Sequence, residues 1–162
     1  MAVRVAVFLL VITVALSACG FHLRGDVTYP STMAVTYIEA KDQHTPFFRK
    51  LKATLQKGGV KVTTDPGSAG AIVRILEDEA GQRVVSVSAR NTPTEYEVFY
   101  VVRYALDIGG REALASQQLS LTRDYNYDDT VVLGKAAESN EIREALADDL
   151  VGVVTRRLSS VR

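Results

Sequence analysis

The stretch that decides the fold is "RNTPTEYEVFYVVRYALDIGG", residues 90–110. From Tyr96 to Ile108 it keeps a period of two. Tyr96, Val98, Tyr100, Val102, Tyr104, Leu106 and Ile108 fall on one face, and Glu97, Phe99, Val101, Arg103 and Asp107 on the other. Successive side chains of a strand point to opposite sides, so this pattern predicts one long strand of about 40 Å at ~3.3 Å per residue. Its apolar, aromatic face needs cover, and its mixed face does not. Gly109-Gly110 then predicts a tight hairpin into residues 112–124. There Ser116, Gln118, Ser120 and Thr122 alternate with Ala115, Leu119 and Leu121.

The cover comes from two amphipathic segments. Thr45 caps the first, and Pro46 stands in its first turn, where a missing N–H does no harm. Phe47, Phe48, Leu51 and Leu55 share a face there, with Arg49, Lys50, Lys52 and Gln56 turned away, and Gly58-Gly59 end it. The second, "ESNEIREALADDLVGVVTRRL", places Ile142, Leu146, Leu150, Val153 and Leu158 near one stripe. Its early Glu138, Glu141 and Glu144 and late Arg156 and Arg157 suit the helix dipole. Residues 33–40 read as a strand, "VKVTT" as a short extended piece, and Asp65-Pro66-Gly67 as a turn. Residues 71–77 and 83–89 read as two strands around a turn at "DEAGQ", with Glu77-Asp78-Glu79 at a charged hairpin tip. The expected architecture is α+β: a two-layer sandwich with two helices on one face of a mainly antiparallel sheet of about four strands. The other sheet face is expected to be polar but poor in charge, either wet or set against a partner.

The chain opens differently. Arg4 is the only charge before position 22, and "VAVFLLVITVAL" (5–16) is almost wholly apolar. A charged start, an apolar run of this length and small residues after it read as a signal peptide over residues 1–18, too short for a spanning helix of about 20 residues. Leu16-Ser17-Ala18-Cys19 has the form of a bacterial lipobox, which makes Cys19 the lipidated first residue of the mature chain. That explains a single cysteine: its thiol becomes a thioether to diacylglycerol and needs no disulfide partner. Three acyl chains, at ~0.8 kcal/mol per buried CH₂, make a stable membrane anchor. Gly20 rather than Asp after the cysteine implies the outer membrane. Residues 19–32 then form an irregular lead, and 33–162 a single α+β domain.

The 162-residue chain carries 19 basic and 19 acidic residues, and losing Arg4 with the signal leaves a net −1. A nucleic-acid binder would show a basic excess. His22 and His44 are the only histidines, and neither stands in metal-ligand spacing with an acid or cysteine. No nucleophile elbow, phosphate loop or dinucleotide fingerprint occurs. The sequence therefore implies no enzyme, metal site or cofactor. Asp148 and Asp149 read as a solvated helix face. Arg90, where two strands meet, and Lys135, where sheet gives way to helix, read on composition alone as ordinary exposed charges. Placement in loops beside rigid elements also suits them to hold phosphates.

"CGFHLRG" (19–25) resembles the mature start of the LPS-assembly lipoprotein family LptE. "LQKGGVKV", "RNTPTEYEV", "GGRE" and "RDYNYDDTVVLGKAAESNEIREALADDLVGVVTRRL" fit that family too, so the resemblance spans essentially all of the mature chain. It implies a non-enzymatic partner of the outer-membrane β-barrel LptD. Such a lipoprotein sits in the barrel lumen as a plug, helps the barrel assemble, and takes part in inserting lipopolysaccharide into the outer leaflet. It also implies lipopolysaccharide binding by basic residues that map by motif onto Arg90 and Lys135. A lumen position would account for a polar open sheet face. The rival reading is another outer-membrane lipoprotein adaptor, such as an accessory subunit of a lipid transporter. A periplasmic hydrolase would need a nucleophile and base that the sequence does not offer.

Overall fold

A computed structural model describes residues 28–127 and 132–161. Cys19, the signal segment and most of the lead lie outside the described residues. A 3-10 turn at Ser31–Met33 leads into β1 (Val35–Ala40). Helix α1 (Pro46–Lys57) follows, with the Thr45 hydroxyl accepting from Phe48 N at 3.1 Å as its cap. Gly59, at φ 84°, turns the chain into β2 (Lys61–Thr63). Three long strands come next: β3 (Ala71–Val87), β4 (Pro93–Ile108) and β5 (Arg111–Asn126). Gly109 and Gly110, at φ 57° and 77°, make the β4–β5 turn, which favours residues without a Cβ. Helix α2 (Val132–Ser159) closes the chain.

The strands form one five-stranded sheet in the order β2-β1-β3-β4-β5. β1 runs parallel to β2 and β3, and the three long strands are antiparallel. Both helices pack on one face. The buried set unites Phe47, Leu51 and Leu55 of α1, Leu146, Leu150, Val154 and Leu158 of α2, and Val98, Tyr100, Val102, Tyr104 and Leu106 of β4. The period-two face read from residues 96–108 is thus the sheet's core face. The sheet has five strands rather than about four, because Lys61–Thr63 pair with β1 at three positions.

Three local readings are corrected. Residues 71–87 are one strand, without a hairpin at "DEAGQ". Gly81 is not a turn residue there: the Phe99 ring of β4 lies on it, and a Cβ at Gly81 would stand 2.5 Å from Phe99 Cζ. Glycine in a strand often marks such a close approach. Neighbouring strand residues take opposite faces, and a bulge between Ile75 and Glu77 decides which of the two acids takes the core face. Glu77 pairs with Arg103 on the open face, at 3.3 Å. Asp78 turns to the core face, where it accepts from Thr45 Oγ1 and Tyr100 OH.

The second correction concerns the open face, which is not poor in charge. Arg74 pairs with Asp107, Arg83 with Glu97 and Arg103 with Glu77 across the neighbouring strands β3 and β4, and Arg74 also reaches Glu112 of β5 at 3.8 Å. Cross-strand neighbours at ~5 Å make such ladders natural, and only the register reveals them. The third concerns α2, which starts six residues before Glu138. Lys135 therefore lies within the helix's first turns. Arg156 and Arg157 do fall in its last turn, but no acid lies in its first.

Candidate functional site

Arg90 sits in the β3–β4 connection, residues 88–92. Asn91 takes φ 59° there, a left-handed conformation that asparagine tolerates. The Ser88 hydroxyl accepts from Arg90 N and Thr92 N at 3.2 and 3.3 Å, and Asn91 N donates to Ser88 O at 2.9 Å. The backbone is thus tied down while the Arg90 side chain stands exposed. Arg90, with Ser88, Thr92, Asn126 and Tyr127, lines a cavity of about 630 Å³.

Lys135 lies on α2 over the core face of the same sheet end. Its Nζ is 2.7 Å from Glu138 Oε2 and 6.0 Å from the Tyr125 ring centre. The ammonium is therefore held, by a carboxylate three residues on and by the negative face of an aromatic ring. Lys135 lines a second cavity of about 540 Å³ with Gln82, Tyr96, Tyr125, Tyr127 and Arg143. Tyr127 borders both cavities, so the two cations named from sequence share one end of the molecule.

Sequence reasoning missed the aromatic part of this end. Tyr96 on β4 lies directly opposite Tyr125 on β5. Their rings stack at 5.9 Å, and Tyr127 meets Tyr96 edge-on at 5.0 Å. Tyr125 OH and Ser139 Oγ both donate to Gln82 Oε1, at 3.2 and 2.8 Å, which fastens α2 to β3 and β5. The signal available was "YNY" at 125–127, two tyrosines on one strand face. Val84, Val85 and Val87 of β3 are about half exposed near this end.

The remaining charged groups serve packing. Lys50 bridges α1 to Glu144 and Asp148 of α2 at 3.2 and 2.8 Å, and Arg49 meets Glu144. Burial raises the Asp78 carboxyl above its ordinary value, although Thr45 and Tyr100 donate to it. Burial, with the Asp78 carboxylate beside it, raises the Tyr100 phenol strongly. His44 donates its backbone N–H to Asp42 Oδ1 at 2.8 Å in the loop before α1. Among the described residues no three His, Cys, Asp or Glu side chains gather as metal ligands, and no helix is long and apolar enough to cross a membrane.

The described residues define a two-layer α+β domain with two cavities that share Tyr127 at one end of its sheet, one lined by Arg90 and the other by Lys135 and Arg143. The chain belongs to the lipopolysaccharide-assembly family LptE, whose pattern matches residues 32–158. It is similar to the LPS-assembly lipoprotein LptE of Pectobacterium atrosepticum, at 22% identity over 146 residues covering 90% of this chain and 79% of that one. The LPS-assembly lipoprotein LptE of Photorhabdus laumondii is 23% identical over 161 residues, covering 98% and 87%. Among solved structures, an uncharacterized lipoprotein B of Nitrosomonas europaea matches with a TM-score of 0.71 and 27% identity, covering 87% of this chain and 91% of that one.

Proposed function

We propose that this chain is an outer-membrane lipoprotein, anchored through Cys19, that plugs the LptD β-barrel and helps it assemble. In the same complex it contacts lipopolysaccharide through Arg90 and Lys135 as the lipid passes to the outer leaflet. The observation that carries the reading is the convergence of Arg90 and Lys135 on cavities that share Tyr127, in a member of a lipopolysaccharide-assembly family. Charge-assisted hydrogen bonds from such cations suit phosphate oxygens. The open sheet face supports the plug role. Its cross-strand ion pairs, Arg74 with Asp107 and Arg103 with Glu77, suit a hydrated barrel interior better than lipid or an apolar partner. The lipobox at 16–19 supports the anchor.

The test is affinity purification of the tagged mature protein from detergent-solubilised outer membranes. The reading expects one LptD barrel per chain, in a complex that survives single surface substitutions. A plug buries far more than the roughly 1,600 Å² of a standard interface, so no one residue decides it. Copurification with a lipid-transport complex and no barrel would favour the adaptor reading instead.

A further inference from the structure

Between Arg90 and Lys135 lies a surface that charge alone does not explain. Tyr96 and Tyr127 are half-buried, in edge-on contact at 5.0 Å, and are backed by the buried Tyr125. Arg143, about two helical turns beyond Lys135, borders the same cavity and is steadied by Asn140 Oδ1 at 3.0 Å. The sequence of chemistry along the groove is cation, aromatic platform, cations. Anionic ligands at large need only the cations, and an acyl chain needs none of them. A ring with aliphatic C–H faces stacks on tyrosine, whose polar tip tolerates a wet site, and phosphates on that ring reach guanidinium and ammonium groups at either side. The two cavities, of about 540 and 630 Å³, each have the size of a small-ligand site.

We propose that Tyr96 and Tyr127 form a saccharide-stacking platform, flanked by Arg90 on one side and by Lys135 and Arg143 on the other, that takes a phosphorylated sugar headgroup. This rests on the lipopolysaccharide reading of Arg90 and Lys135 and adds the part of the lipid they address: the sugar-phosphate head rather than the acyl chains. Tyr125 is a positioning residue here. Its hydroxyl is spent on Gln82, and its ring holds Tyr96 and Lys135 in place.

The experiment titrates the mature protein, in non-ionic detergent, with an acyl-free glucosamine disaccharide bisphosphate. Its dephosphorylated counterpart and phosphatidylglycerol carried in mixed micelles of the same detergent serve as the other arms. Affinity is read by calorimetry and ring contacts by NMR of labelled tyrosines, with Tyr→Phe variants assigning the Tyr96 and Tyr127 signals among the seven tyrosines. The expected result is that the bisphosphate shifts the Tyr96 and Tyr127 ring signals. Tyr127→Leu should weaken it about tenfold, close to 1.4 kcal/mol, while Tyr127→Phe keeps wild-type affinity. Arg143→Gln should weaken the bisphosphate and leave the dephosphorylated sugar unchanged. The proposal is overturned if Tyr127→Leu binds within twofold of wild type, if the ring signals stay still at saturation, or if the phosphatidylglycerol micelles move the same rings equally. Intact lipopolysaccharide bound through Arg90 and Lys135 without any binding of the acyl-free head overturns the platform and leaves the proposed function standing. Failure of both ligands overturns both.

Discussion

Replacing Tyr100 with Phe removes one oxygen and leaves the ring in place. That oxygen joins three elements. Tyr100, on β4, is 1% exposed. Its hydroxyl donates to Asp78 Oδ1 of β3 at 2.8 Å and accepts from Phe47 N, in the first turn of α1, at 3.2 Å. Asp78 in turn accepts from the α1 cap residue, Thr45. In Tyr100→Phe the Phe47 N–H loses a buried acceptor, and the half-buried carboxylate loses one of two donors. A hydrogen bond to a charged group contributes about 1.5–3 kcal/mol, and an orphaned buried donor costs about 1–3 kcal/mol. The two overlap, so the expected loss is roughly 2–4 kcal/mol, with a melting point lower by roughly 5–15 °C. Urea unfolding followed by far-UV circular dichroism reads it, with the m-value unchanged. A loss below about 0.5 kcal/mol at constant m would refute the idea that this hydroxyl pins α1 to the sheet. The same network sets a pH dependence. Asp78 is raised above its unfolded value, so the folded state holds its proton more tightly. Its contribution is fully present below the unfolded carboxylate range and is lost as pH rises through the folded pKa. Asp78→Asn should remove that slope, so the stability gap between wild type and variant narrows as pH rises across that window.

The other predictions concern separate parts of the chain. Cys19→Ser should leave an uncleaved precursor or a form released from outer membranes; normal processing and fractionation would end the lipoprotein reading. Gly81→Ala should cost about 1 kcal/mol because Phe99 must leave its seat on the glycine. In a Phe99→Ala background the same change should cost nothing, and a urea-melt double-mutant cycle measures the difference. Glu138→Gln should release Lys135 from its 2.7 Å ion pair and tighten lipopolysaccharide binding severalfold with the fold intact, as calorimetry would show. Unchanged or weaker binding would mean that Lys135 does not meet the ligand.

What the sequence could reveal followed the range of each signal. The face running from Tyr96 to Ile108 was readable because period two is local, and so was α1, whose cap, Pro46 and apolar face lie within 13 residues. The continuity of β3 was not. Gly81 carries the same letter in a turn as in a strand beneath a phenyl ring, and only the register with Phe99 separates the two. The charged open face escaped for the same reason. Arg74 with Asp107 and Arg103 with Glu77 are partners across strands, at separations of 33 and 26 positions in the chain. Arg90 and Lys135 were picked out by loop position and by family motif, but their common neighbour Tyr127 was not. The platform needs Tyr96 and Tyr125 opposed on paired strands, a fact of register that neither "TEYE" nor "DYNY" contains.

The central claim is that Arg90 and Lys135 act together on lipopolysaccharide. The most direct measurement is binding of lipopolysaccharide to the mature protein, wild type against Arg90→Gln with Lys135→Gln, with melting temperature alongside. Glutamine is chosen because an acid at 135 would face Glu138 and upset the helix. Charge-assisted contacts of roughly 1.5–3 kcal/mol each predict a loss of at least about tenfold per site, at about 1.4 kcal/mol per decade. The melting temperature should stay within a few degrees, since Arg90 is exposed and the part-buried Lys135 makes one ion pair, to a Glu138 side chain that is 44% exposed, of the kind that contributes ~0–1 kcal/mol. A double variant that binds lipopolysaccharide as tightly as wild type, at equal stability, would contradict the claim.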